Sequence, residues 1–167
     1  PDYTIFHGYV LAPIPEFVTQ AKKMGMTSQF MGTFWTMDHS MVMKMGEAAE
    51  GFMGVMPFRY HYESDPKAPM LDKIRQMRPE YQSNAYMQGF LTTMLFAEAA
   101  KRTLEAGKQL NGRNLKASLN SIRDFDTGGI IGVPISIKGN SIPVGRIVRA
   151  DMKQQKMVPA SDWISLE

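Results

Sequence analysis

The sequence contains no cysteine. Disulfides and thiolate metal sites are therefore excluded, although the compartment stays open. Histidine is sparse as well: only His7, His39 and His61 occur, and none stands in a His-x-x-x-His or His-Glu-x-x-His spacing. There is no Gly-x-Ser-x-Gly nucleophile elbow and no Gly-x-x-x-x-Gly-Lys-Ser/Thr phosphate loop. Long apolar runs are missing too. The longest helical one, "YMQGFLTTMLFAEAA", is broken by Gln88, Thr92, Thr93 and Glu98 and falls short of the roughly 20 residues a bilayer requires. Lys and Arg are dispersed despite a net charge of +3 and a pI near 9.2, so they read as solvated surface and no nucleic-acid partner is expected. No signal peptide is visible. The opening "PDYTIFHGY" starts directly in a strand-like segment, which leads us to expect a mature segment or a piece of something longer.

What is present is a globular composition, 44% hydrophobic and 21% charged over 167 residues, enough for one domain or two short lobes. "YTIFH" is β-branched and aromatic and stops at Gly8, so it reads as a short buried strand. Pro15 suits a helix first turn, Lys22 and Lys23 a last turn, and Gly25 a C-cap. "SQFMG" is a second strand. Asp38 or Ser40 could cap a helix over about 39–49, weakened by Gly46. "EGFMGVMPF" is a third buried strand ended by Pro57. The first third is thus β-α-β-α-β, which implies a parallel sheet with right-handed crossovers and an α/β fold class.

A polar, proline-bearing stretch follows, then a helix near 69–78. The strongest helix spans about 83–107, with Met87, Leu91, Met94 and Leu95 at helical spacing. Another runs over 112–122. "RDFDTGGIIGVP" is a glycine-rich turn, and the alternation around "MKQQK" predicts a β-hairpin in the tail.

Chemistry-bearing constellations are few. His7 and His39 could converge with Asp38 on a metal, or serve as a pocket hydrogen-bonder and a first-turn helix residue; we expect no metal and no cofactor. The methionines of "MVMKM" do not share one helical face, and core packing suits them better than a copper site. The strongest signal is positional. Ligands of open α/β sheets sit outside the carboxyl ends of the strands. His7, Gly8 and Tyr9 follow the first strand, and Thr33, Phe34 and Trp35 the second, so these six are the candidate ligand-binding residues. Stacking surface, close approach at glycine and two polar handles would all meet on one rim. The competing reading is that Phe34 and Trp35 only cover the helix that follows.

The order of four segments carries a resemblance: "PEFVTQAKKMGMTSQFMGTFW", "GEAAEGFMGVMPF", "AYMQGFLTTMLFAEAAKRTLEAGKQLNGRNLKASLNSIRDFDTGG" and "IVRADMKQQKMVPASDW". Together they resemble the C-terminal half of type I periplasmic solute-binding proteins, within them the branched-chain amino acid (leucine/isoleucine/valine) receptors of ABC importers. The resemblance implies a fragment of a two-lobed, Venus-flytrap α/β receptor that closes on a small solute, an amino acid or another carboxylate, and hands it to a membrane permease. It implies no enzyme activity and a periplasmic site, or an extracellular lipid-anchored one. It divides the chain into a lobe-two segment (1–62), a segment with lobe-one helices (63–124) and a return to lobe two with the hairpin (125–167). It further implies that an N-terminal half is missing, so the face of helix 83–107 meant for an absent sheet should drive self-association. The family's pocket tyrosine matches Tyr9. The acidic residue that in amino-acid receptors holds the ligand's ammonium falls at Phe34, which implies a ligand without a cationic amine at that end. The alternative from a different class is a flavodoxin-like or amide-sensor domain with regulatory or enzymatic function.

Overall fold

The computed structural model describes residues 1–8 and 13–166. By its contacts the chain forms two compact units. One comprises Pro1–Pro57 with Gly145–Ile164, and the other Phe58–Val144 with Ser165–Glu167.

The first unit is built on a sheet. Strands β1 (Tyr3–Phe6), β2 (Gln29–Gly32) and β3 (Met53–Met56) run parallel, and β4 (Val144–Asp151) and β5 (Lys156–Pro159) continue the sheet antiparallel, in the order β1-β2-β3-β4-β5. Parallel neighbours require long crossovers. Helix α1 (Pro13–Lys23) supplies the first, entered through Pro13 and Pro15, with Glu16 in its first turn and Lys22 and Lys23 in its last, as the helix dipole favours. The second crossover is more broken than the sequence suggested. A 3-10 turn (Phe34–Thr36) precedes the short helix α2 (His39–Met43), and a second 3-10 turn (Gly46–Ala49) follows. Gly46, at φ +55, is where the expected continuous helix over 39–49 splits.

Register and burial show which face is covered. Phe30, Gly32, Gly54, Met56, Arg146, Val148 and Ala150 share one face, and all are buried. Phe17 of α1 meets Phe6 and Phe30 edge-on there, with ring centroids 5.6 and 6.4 Å apart. Burying rings such as Phe30 and Phe52 contributes about 1.5–3 kcal/mol each. The other face carries Tyr3, Ile5, Met31, Met53 and Val55. Here the structure corrects the reading of β1 and β3 as buried strands: Tyr3 and Ile5 are both 66% exposed and Val55 is 47% exposed. Met31 and Met53, between them, are half-buried.

The second unit is helical: α3 (Pro69–Met77), α4 (Asn84–Glu105) and α5 (Gly112–Asn120). Ser83 and Asn111 cap α4 and α5 by accepting from the backbone N–H of Tyr86 and Asn114. Buried Arg59 donates to the Gly129 carbonyl at 2.9 Å and pairs with Asp65 at 2.6 Å, which ties the start of this unit to the glycine-rich turn. Met87, Leu91 and Leu95 of α4 are buried, while Phe96 and Leu104 are exposed. The stretch 125–144 clusters with these helices. Among the described residues no helix is long and apolar enough to cross a membrane.

Candidate functional site

Thr33, Phe34 and Trp35 stand where β2 leaves the sheet. β1 and β2 end side by side: Phe6 is opposite Gly32, and the Thr33 N–H donates to the Phe6 carbonyl at 3.0 Å. His7–Gly8 and Thr33–Trp35 therefore depart from adjoining strands at a single carboxyl edge. His7 is exposed, and Gly8 adopts φ +116. Tyr9 lies outside the described residues.

Why the bulky rings sit at the end of the strand follows from two glycines. Gly32 and Gly54 are register partners on β2 and β3. A Cβ on Gly32 would lie 1.8 Å from Thr36 Oγ1, and one on Gly54 would lie 2.1 Å from the Gly32 carbonyl oxygen and 2.5 Å from Met37 Sδ. The pair leaves a floor without side chains, and the 33–37 turn presses onto it. Thr36 and Met37 fill that floor and are fully buried. The Thr36 hydroxyl and N–H both donate to the Thr33 carbonyl, at 2.8 and 2.9 Å, which closes the turn. With Thr36 and Met37 directed inward, Phe34 and Trp35 are carried to the rim. Their centroids are 4.4 Å apart at 43°, Phe34 is half-buried, and Trp35 is 38% exposed.

The Thr33 hydroxyl oxygen is buried and has no hydrogen-bond partner among the described residues. Such a group costs about 1–3 kcal/mol when unsatisfied, and a polar atom of a bound molecule could recover that. Asp38 is committed to structure: its Oδ1 accepts from the Ser40 N–H at 2.9 Å, capping α2. His39 opens that helix. Its partial burial lowers its pKa below 6.5, opposed by the Asp38 carboxylate and assisted by Lys156. Among the described residues no three His, Asp or Glu side chains gather as a metal set.

One residue of this edge escaped the sequence reading. Arg146 of β4 is directly opposite Met56, the last residue of β3, so it is level with the same carboxyl edge. It is buried, with its guanidinium 4.8 Å from the centroid of the Trp163 ring. The signal was the phase of the strand: in "RIVRA" Arg146 shares its parity with buried Val148 and Ala150, where an apolar residue is the norm. The arrangement thus combines an aromatic pair, a buried hydroxyl and a cation, which suits a small anion with an apolar body.

Two sizeable hollows are lined by other residues. One, about 490 Å³, is on α1 beside Phe17 and Met24. The other, about 610 Å³ and largely apolar, runs between α4 and α5 in the second unit, lined by Leu95, Phe96, Ala99, Leu115 and Leu119. Neither is lined by Phe34 or Trp35.

The family model described as "Periplasmic binding protein" matches residues 1–154. No curated protein matches the chain. Among solved structures it is similar to a branched-chain amino acid ABC transporter protein from Thermus thermophilus with bound valine, at 21% identity and TM-score 0.79, covering 99% of this chain and 46% of that one. It is also similar to a leucine-binding protein from Thermotoga maritima, at 17% identity and TM-score 0.76, covering 99% and 45%. A fatty acid ABC transporter substrate-binding protein from Thermomonospora curvata matches at 16% identity and TM-score 0.72, covering 99% and 43%. The chain therefore spans less than half the length of these relatives.

Proposed function

Because the chain belongs to the periplasmic binding protein family, we propose that it is part of an extracytoplasmic receptor that holds a small solute for an ABC permease. The observation that carries this reading is the Phe34–Trp35 turn, wedged outward at the carboxyl edge by the Gly32–Gly54 floor. Ligand-binding residues on this reading are His7, Gly8, Tyr9, Thr33, Phe34 and Trp35, with Arg146 contributing positive charge to the same edge. The protein works by binding, without turnover, in the periplasm or as a lipid-anchored protein outside the cell. On this reading the two compact units, 1–57 with 145–164 and 58–144, belong to the two lobes of the complete receptor, with the boundaries at 57 and 145 in place of those at 62 and 125 expected from the sequence.

The solute is a carboxylate with an aliphatic or aromatic body. The Phe34 ring supplies no carboxylate to neutralise an ammonium group, only a weaker cation–π contact, whereas a cation on β4 favours an anion. The relatives noted above are described with valine and as a fatty acid binder, and both ligands are carboxylates with apolar bodies. A chain of 167 residues lacking the rest of the receptor would also self-associate through the outward side of α4, where Phe96 and Leu104 are exposed.

A thermal-shift screen of amino acids, short fatty acids and aromatic acids against the native polypeptide containing these residues tests the function. The midpoint should rise with the logarithm of ligand concentration for apolar carboxylates. Conversion of a compound to product would favour the flavodoxin-like or amide-sensor alternative. Tight binding of leucine that depends on its ammonium group would overturn the carboxylate assignment.

A further inference from the structure

Helices α3 and α4 each bury an apolar stripe, and α5 does not. Leu115 and Leu119 fall on one face of α5 with Gly112 and Lys116, at the spacing that a surface helix turns toward its core. Yet no residue of α5 is buried. That face lines the hollow of about 610 Å³, together with Leu95 and Ala99 of α4 and the turn over 137–142. Hydrogen bonds fix these three walls. Thr103 of α4 and Ser118 of α5 are joined through their hydroxyls at 2.8 Å, and Arg102 donates to the Ser121 carbonyl at 3.3 Å. Arg123 donates to the carbonyls of Ile122 and Ile137, at 2.7 and 2.8 Å, and the Ile137 N–H donates to the Ile122 carbonyl at 3.0 Å. Lys138 and Ser141 close the turn, each N–H donating to the other's carbonyl. To roll onto α4 and bury its leucines, α5 would have to break this set. The hollow is therefore preformed, as small-molecule sites usually are.

We infer that this hollow is a second binding site, for a free single-chain carboxylate whose alkyl chain lies between α4 and α5 and whose head meets Lys116. The walls set the body of the ligand: Leu95, Ala99, Leu115, Leu119, Ile137 and Ile142 offer it no polar partner. The volume falls inside the range of roughly 300–1,000 Å³ typical of small-molecule sites. Charge sets the head. Lys116 is the one charged residue of the lining, and among the described residues it has no ion pair. Asn120 and Asn140 also line the hollow and add amide N–H donors. A cation with two amides beside an apolar cavity matches a monoanion on an apolar chain. A symmetric pairing of two copies over the hollow would instead bring two unpaired Lys116 ammoniums into one apolar seam. Every lining residue falls within 92–142, so the site belongs to the second unit and is independent of what the rim residues bind.

The test uses the native polypeptide containing residues 1–167 and a fatty acid that carries a diazirine at its terminal carbon. Irradiation should label α4 or α5 within 92–120, and decanoate should compete. In calorimetric titration, affinity from hexanoate to decanoate should rise about fourfold per added methylene. Lys116→Glu, at an exposed position, should weaken decanoate binding by about 10-fold without moving the melting midpoint. Leu115→Trp fills the hollow and should abolish the labelling; should it fold poorly, Thr92→Trp, at an exposed lining position, serves instead. Trp35→Ala removes the stacking surface of the rim, and labelling of 92–120 should persist. Label confined to the rim, label that survives the filling variant, or an affinity indifferent to K116E would overturn the inference. So would an absence of labelling. Labelling that fades as protein concentration rises would assign the hollow to a second copy. Capture by anionic phospholipid vesicles with no binding of free decanoate would assign it to a membrane surface, and either result would refute the proposal.

Discussion

Gly54→Ala is the sharpest probe of how the rim is built. The added methyl carbon would stand 2.1 Å from the Gly32 carbonyl oxygen and 2.5 Å from Met37 Sδ, where an ordinary contact is more than an ångström longer. Met37 could swing aside; the Gly32 backbone cannot move without separating β2 from β3. Overpacking of a core costs about 1–3 kcal/mol, and losing one ladder hydrogen bond adds about 1 kcal/mol, so we expect a loss of roughly 3 kcal/mol. Both tryptophans, Trp35 and Trp163, lie in the first unit, so urea unfolding followed by their fluorescence reports this unit alone. At about 1 kcal/mol per molar urea for so small a unit, the midpoint should fall by about 2–3 M. Adding Met37→Ala should restore little, because the carbonyl remains. Gly32→Ala behaves differently: its obstacle is the Thr36 hydroxyl at 1.8 Å, so adding Thr36→Ala should restore much of the stability. A midpoint for G54A within about 0.3 M of the parent would refute the floor-and-wedge account.

Further outcomes follow from the same geometry. His39 has a folded pKa below 6.5, so the unfolded chain binds its proton more readily. Its contribution to stability is whole above about pH 6.5 and is lost as pH falls through the interval down to the lowered value; His39→Gln should flatten the urea midpoint across that interval. Gly89 lies in α4 with no atom near its Cβ position, so Gly89→Ala should stabilise the second unit by about 0.5–1 kcal/mol, seen as a rise in the helical melting midpoint by circular dichroism. Phe96→Ser should reduce any association of the 167-residue chain measured by light scattering, with no loss of helix content, because Phe96 points outward.

The sequence reading located every strand of the β-α-β-α-β segment and the tail hairpin because their signals are local: β-branched and aromatic runs such as Tyr3–Phe6, and alternation through Val144–Asp151. Helix α4 was equally plain from its spacing. Burial of β1 and β3 was misread, because an apolar strand looks the same whether or not a layer lies over it. The break at Gly46 was only half visible, since glycine lowers helix propensity everywhere but splits a helix only where φ turns positive. At the rim, Thr33–Trp35 could be placed from strand ends alone. The Gly32–Gly54 pairing could not, because it needs the register between two strands, and Arg146 needed the phase of a third.

The central claim is that Phe34 and Trp35 grip a small solute at the carboxyl edge of the first sheet. Calorimetric titration of the native polypeptide with the carboxylate chosen by the thermal screen, repeated for Trp35→Ala and Phe34→Ala, tests it most directly. Loss of an aromatic wall should weaken binding by about 10–50-fold, or about 2 kcal/mol, while the urea midpoint of the partly exposed W35A variant stays near the parent's. Undiminished affinity in both variants would contradict the account.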